Sequence, residues 1–313
     1  MSERKTILIA GVTGMLGHQI ASVLLGRGDC SVQALIRPGG YDDDKGAKLE
    51  QLRSRGLKTV EGDLTVPKTL LPACEGVDTV ISAVQGGEKV VVTGQTNLIE
   101  AAETAGVTRM IPSDFSIDLH KLDYNDHVWL AMRKRADDAF KGKSVKPTSV
   151  LIGAFMDVAI DPILGLVNWD EGYFTYWGDG EQPCDFTAVA DTAKYIAAAA
   201  LDDGLTGRSL RVAGEVLTMK QLHSIFEEFA GCKLELRNPG SVDELKELIE
   251  NKKRENPEAQ AAYVFYQYQW AMVSGKAKLD ELDNERYPDI KPMSMRDFLS
   301  HKPPSKTSGP LIN

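Results

Sequence analysis

An α/β fold, a doubly wound parallel sheet with a smaller and mostly helical second lobe, is predicted by three features of the sequence. Short β-branched runs alternate with helical patterns through the first half of the chain, which builds a parallel sheet with helices on both faces. Several helical patterns end in glycine, the expected left-handed stop. The first strand runs straight into three spaced glycines. With 313 residues, 42% of them hydrophobic and 26% charged, the chain suits one large globular domain or two packed ones.

Taken in order, "TILIAG" is the first strand and "MLGHQIASVLLGRG" the helix after it. "SVQALIR" and "DDKGAKLEQLRSRG" repeat the unit. "KTVEGD" is the third strand, followed by the short helix of "VPKTLLPACEG". "VDTVISAV" and "VVTGQTNLIEAAETAG" form the fourth pair, and "VTRMIPS" and "DHVWLAMRKRADDAFKG" the fifth. "PTSVLIG" is the sixth strand. Gly28, Gly56, Gly76, Gly106 and Gly142 close the helices. Beyond residue 153 the rhythm weakens into an aromatic, turn-rich stretch. A helix at "ADTAKYIAAAALDDG", a strand at "RSLRVAG" and further helices follow. The expected division is therefore 1–153, with 188–214 packing on it, against a lobe of 154–187 and 215–302. Residues 303–313, rich in Pro, Ser and Gly, read as a flexible tail.

The net charge of -9 argues against a general nucleic-acid binder, which needs a basic face. No apolar run is long enough to cross a membrane or to serve as a signal peptide. Cys30, Cys74, Cys184 and Cys232 lie far apart with no CxxC pair, and read as free thiols of a reducing, cytoplasmic compartment. The histidines show no metal-ligand spacing, so no metal site is expected.

A strand, a glycine turn and a helix make an anion site, because the helix start leaves N–H groups unpaired and carries partial positive charge. Gly11 takes the tight turn, Gly14 lets the backbone approach a pyrophosphate, and Gly17 lets helix and strand pack. Thr13, Met15 and Leu16 complete this candidate dinucleotide cradle of Rossmann type. An NAD site places an acid at the end of the second strand; this chain has Arg37 there, with Lys45 following in the same loop. A guanidinium matches a 2′-phosphate, so the expected cofactor is NADP(H). Asp63 and Leu64 after the third strand suit the adenine, and Ala83, Val84 and Gln85 after the fourth suit the nicotinamide half. Ser113 and Asp114 end the fifth strand at the same edge; Asp114 orients substrate or caps the following turn.

The ordinary dehydrogenase dyad, Tyr-x-x-x-Lys, is matched by Tyr41 with Lys45 and by Tyr287 with Lys291. The first lies in the loop after strand two, and the second contains Pro288, so neither serves as the dyad.

"GVTGMLG", "ALIRPG", "GDL", "VISAVQG", "QTNLIEAAETAGVTRMIPSDF" and "ADTAKYIAAAALDD" together resemble the NmrA-like, atypical short-chain dehydrogenase/reductase group. Within it the chain is similar to the isoflavone, phenylcoumaran benzylic ether and pinoresinol–lariciresinol reductases. That resemblance implies hydride transfer from NADPH to an aromatic substrate, often at a benzylic carbon. It also implies a catalytic lysine on the helix after "PSDF", which falls on Lys134, or on Arg133 with a shift of one residue. The family's "EFG" is "DFS" here. A lysine desolvated at that place exchanges a proton with a phenol or carbonyl. Phe155, Met156, Tyr173 and Trp177 lie where an aromatic-accepting pocket would form, or pack as core. Two further readings stay open: an NADP(H)-sensing regulator without turnover, and a quinone reductase. The aromatic "AAYVFYQYQWAMV" serves a pocket wall or a homodimer face.

Overall fold

The structure, a computed structural model, describes residues 4–41 and 44–302. The expected tail at 303–313 lies outside the described residues. The N-terminal apolar run forms β1 (Thr6–Ala10), buried from Ile7 onward. It is followed by β2 (Ser31–Ile36), β3 (Lys58–Glu61), β4 (Thr79–Ser82), β5 (Arg109–Ile111) and β6 (Lys146–Pro147). Every pairing among them is parallel, in the order β3-β2-β1-β4-β5-β6. The chain builds outward from β1 in one direction, then returns and builds from β4 in the other. The switch point between β1 and β4 leaves a crevice at the carboxyl ends of the strands.

The connections are α1 (Met15–Arg27), α2 (Asp44–Arg53), α3 (Leu71–Cys74), α4 (Gln95–Thr104) and α5 (Val128–Asp137). Gly28 stops α1 at φ 74° and Gly106 follows α4 at φ 77°, the left-handed conformation that costs glycine least. A π-helical turn, Lys89–Gly94, precedes α4. Such turns recur at functional sites. Leu8, Val80, Leu98, Ile99 and Met110 are fully buried in the apolar cluster of this sheet.

The chain divides into two compact units. The first is 1–115, 132–150 and 192–210; the second is 116–131, 151–191 and 211–313. In the first, Arg109 of β5 is buried and donates to Asp202 O, to Ala200 O at 2.5 Å and to Thr79 Oγ1 at 3.2 Å. It thereby satisfies carbonyls at the end of the helix Val189–Leu201, where a cation is also favoured by the dipole.

The sixth strand departs from expectation. Only Lys146–Pro147 pairs with β5, and the N–H of Thr148 still reaches Met110 O at 2.8 Å. Pro147 has no N–H to donate and sits on the edge strand. Beyond it, Ser149–Leu151 pairs with Ser209–Arg211 instead.

Among the described residues the second unit holds four longer helices, Met219–Ala230, Val242–Glu255, Val264–Val273 and Met295–His301. It also holds two three-stranded sheets that the sequence reading did not anticipate, built from strands of two to four residues. Strands so short carry no visible alternation. Phe174, Phe186, Phe226, Leu222 and Met156 lie fully buried in its core.

Candidate functional site

The glycine turn follows β1. Gly11 has φ +89°, and a Cβ there would lie 2.5 Å from Ala83 O at the end of β4. A Cβ on Gly17 would lie 2.2 Å from Gly11 O. These two glycines are therefore the ones that let β1, β4 and α1 close on one another. Gly14 differs: it is exposed, has φ -74° and would bring a Cβ only to within 3.3 Å of Gly11 O. Its N–H donates to Gly11 O at 3.0 Å, and it caps α1 with no side-chain hydrogen bond. The first turn of α1 carries no acid. Thr13 and Leu16 are half-buried beside it, and Met15 is exposed. An uncapped helix start behind an exposed glycine fits the pyrophosphate of a dinucleotide.

Arg37 is exposed at the end of β2, its guanidinium carbon 5.2 Å from the ring centre of Tyr41. Lys45 is exposed in the first turn of α2. Asp63, after β3, accepts from the N–H of Thr65 at 2.7 Å and from its hydroxyl at 2.8 Å. Those bonds, with the Lys89 and Arg37 cations nearby, hold its carboxyl below the usual carboxylate range. Leu64 is held by Asn97, whose amide donates to its carbonyl at 2.8 Å.

At the other half of the crevice, Ala83 is half-buried, Val84 buried and Gln85 exposed. Ser113 links the ends of β4 and β5. Its hydroxyl donates to Val84 O at 2.8 Å, and its N–H donates to Gln95 Oε1 at 3.0 Å. Gln95 is fully buried at the start of α4, and its Nε2 has no partner among the described residues. Arg133 Nη1 approaches Ser113 Oγ at 3.4 Å. Lys134 is half-buried on the same turn of α5. Arg135 forms a two-pronged bond to Glu88, at 2.8 and 3.1 Å, which fastens α5 to the segment after β4. Asp114 does not cap the following turn: Asp118 caps Leu119–Lys121. Asp114 is instead fully buried, accepts from Ser149 Oγ at 2.8 Å and lies against Asp137.

The structure thus brings Gly11–Gly17, Ala83–Gln85, Ser113, Asp114 and Arg133 to one edge of one sheet. Gln95, Asn97, Glu88 and Asp137 were not singled out from sequence. Of these, only Asp137 had a local signal, the i,i+4 spacing from Arg133.

Phe155, Met156, Tyr173 and Trp177 all belong to the second unit. Met156 and Trp177 are buried in its core. Phe155 is half-buried beside Thr187 in a short parallel pair. Tyr173 is half-buried, with the Arg237 guanidinium 3.7 Å from its ring centre. Cys30, Cys74 and Cys184 are buried and Cys232 exposed, all four as free thiols. Among the described residues no helix is long and apolar enough to cross a membrane, and no cluster of metal-ligating side chains forms.

The chain is 26% identical to pinoresinol reductase 1 of Arabidopsis thaliana over 314 residues, covering 95% of this chain and 97% of that protein. It is 29% identical to the isoflavone reductase homolog A622 of Nicotiana tabacum, over 75% of this chain and 77% of that one. Among solved structures, AtPrR2 with NADP+ and (+)pinoresinol superposes with a TM-score of 0.83 at 24% identity, covering 96% and 99% of the two chains. An isoflavone reductase superposes at 0.82 and 22% identity, with the same coverage. The profile of the NmrA-like family matches residues 3–298. The chain belongs to the NmrA-like family.

Proposed function

We propose that the chain is an NADPH-dependent reductase, acting in the cytoplasm, that transfers hydride to an aromatic substrate of phenylpropanoid or lignan type, such as pinoresinol, at a benzylic ether carbon. The observation that carries this reading is one sheet edge bearing three things: an exposed glycine cradle, a guanidinium at the end of β2 and a cationic helix at the end of β5. The relatives named for pinoresinol reduction, matched over nearly their whole length, support the same chemistry.

Gly14 and the start of α1 hold the pyrophosphate, and Arg37 with Lys45 holds the 2′-phosphate. Asp63 and Leu64 flank the adenosine. Ala83, Val84, Gln85 and Ser113 line the nicotinamide half. NADPH, when bound, supplies a hydride. Lys134 takes the phenolic proton of the substrate, and the neighbouring Arg133 stabilises the resulting negative charge, since a guanidinium remains charged throughout. The phenolate expels the benzylic ether oxygen as an alkoxide that solvent protonates; the electron-poor benzylic carbon that results accepts the hydride, and the phenolate so regenerated takes its proton back from Lys134. Asp114, Phe155, Met156, Tyr173 and Trp177 are the proposed substrate-side residues.

The test is NADPH absorbance with purified protein against pinoresinol, lariciresinol, a phenylcoumaran, an isoflavone and a quinone, for wild type and Lys134→Ala. Consumption with one aromatic ether, lost in Lys134→Ala while NADPH still binds, is expected. Tight NADPH binding with no consumption on any of them overturns the reductase in favour of a cofactor-sensing regulator. Consumption with the quinone alone makes it a quinone reductase.

A further inference from the structure

Asp114 lies in the loop after β5, and Asp137 on the last turn of α5. Asp114 is fully buried, and Ser149 donates to its Oδ2 at 2.8 Å. Both carboxylate oxygens of Asp137 are buried with no donor to them among the described residues. The neighbour they meet is the carboxyl of Asp114. Two ionised carboxylates cannot bond to each other, and away from water they repel strongly. One proton between them converts the contact into an O–H···O bond.

Arg133, one helical turn before Asp137, faces the same pair and directs Nη1 toward Ser113 Oγ at 3.4 Å. The pair holding one proton carries one negative charge, equal and opposite to that of Arg133. We propose that Asp114 and Asp137 share one proton, and that the singly charged pair is the counter-ion that positions Arg133 on Ser113 at the end of β5. The groups facing Asp137 include Asp114 from the loop after β5, and Arg133 and Asp138 from its own helical stretch; Ser149 donates to Asp114. Burial first, and Asp114 next, push the Asp137 carboxyl well above the usual carboxylate range, with Arg133 opposing. Through Ser113, whose hydroxyl donates to Val84 O and whose N–H reaches Gln95, the position of Arg133 is tied to β4 and α4 as well. Only the kinetic consequence rests on the reductase reading.

Three proteins decide it: wild type, Asp137→Asn and Asp137→Ala. In wild type at neutral pH the infrared spectrum is expected to contain the carbonyl band of a protonated carboxylic acid, absent in Asp137→Asn. The amide keeps the single charge and donates to Asp114 where the proton did. Asp137→Asn is therefore expected to keep kcat within about twofold, and Asp137→Ala to lose about tenfold in kcat with the KM for NADPH little changed. The absence of the band in wild type overturns the shared proton. A loss of kcat in Asp137→Asn equal to that in Asp137→Ala, or a lowered melting temperature in Asp137→Ala with kcat intact, overturns the positioning role. If wild type turns over no substrate, the reductase reading fails while the infrared band still decides the pair.

Discussion

At the scale of single residues, the glycine turn has one position that folding requires and another that is proposed to bind the cofactor. A methyl on Gly11 meets a backbone carbonyl at 2.5 Å in a left-handed conformation, so Gly11→Ala is expected to cost about 3 kcal/mol, read as a lowered denaturant midpoint. Gly14→Ala has ordinary φ and no atom nearer than 3.3 Å, so it is expected to keep the fold and weaken NADPH binding by about tenfold or more. Arg37→Ala removes charge-assisted bonds of about 1.5–3 kcal/mol, so the NADPH Kd should rise by roughly tenfold to a hundredfold with that for NADH unchanged. A parallel loss for both cofactors would contradict the 2′-phosphate role. Asp137 adds a pH dependence. Its folded-state carboxyl is raised, so the native state retains a proton that the unfolded chain releases. Stability from this group is present at low pH and lost as pH rises from the ordinary carboxylate value toward the folded one. Asp137→Asn should therefore gain melting temperature over wild type as pH rises, and curves that stay parallel would contradict it. The strand-end residues were legible in the sequence because each follows a β-branched run by a fixed step. Gln95 left no local signal and Asp137 only its spacing from Arg133, because their partners, Ser113 and Asp114, come from the end of β5.

At the scale of elements, the five βα repeats were legible because glycine stops and apolar runs are local signals. The sixth strand was not: "PTSVLIG" reads as one strand, yet its halves pair with different partners, β5 and Ser209–Arg211. Arg109 is the element-scale device that sequence concealed. It sits inside a short apolar strand and serves the carbonyl end of a helix some ninety residues onward. Arg109→Met leaves those buried carbonyls unsatisfied and is expected to cost about 3 kcal/mol, with no direct effect on NADPH binding. Unchanged denaturant stability would show the carbonyls to be satisfied otherwise.

At the scale of the whole molecule, the chain passes between its two units several times. The segment 116–131 groups with the second unit, where Asp118 N–H reaches Ala277 O at 3.0 Å and Asp126 pairs with Lys276 at 2.6 Å and Lys246 at 2.9 Å. Gln267 Oε1 accepts from Val128 N–H at 3.1 Å, so α5 begins in one unit and ends in the other. Such pairings span more than a hundred residues and leave no periodic trace, which is why the grouping of 116–131 with the second unit was not legible in the sequence. The proposed cofactor-binding residues and Asp114 lie in the first unit, and Phe155, Met156, Tyr173 and Trp177 in the second. The cofactor assignment was therefore the more legible of the two, resting on one contiguous sheet. Hydride transfer to a benzylic carbon is checked with NADPH carrying deuterium at its transferable position. Incubation with pinoresinol and mass spectrometry of the product should find one deuterium at the reduced benzylic carbon. NADPH oxidation that leaves the recovered substrate unreduced and unlabelled would contradict it.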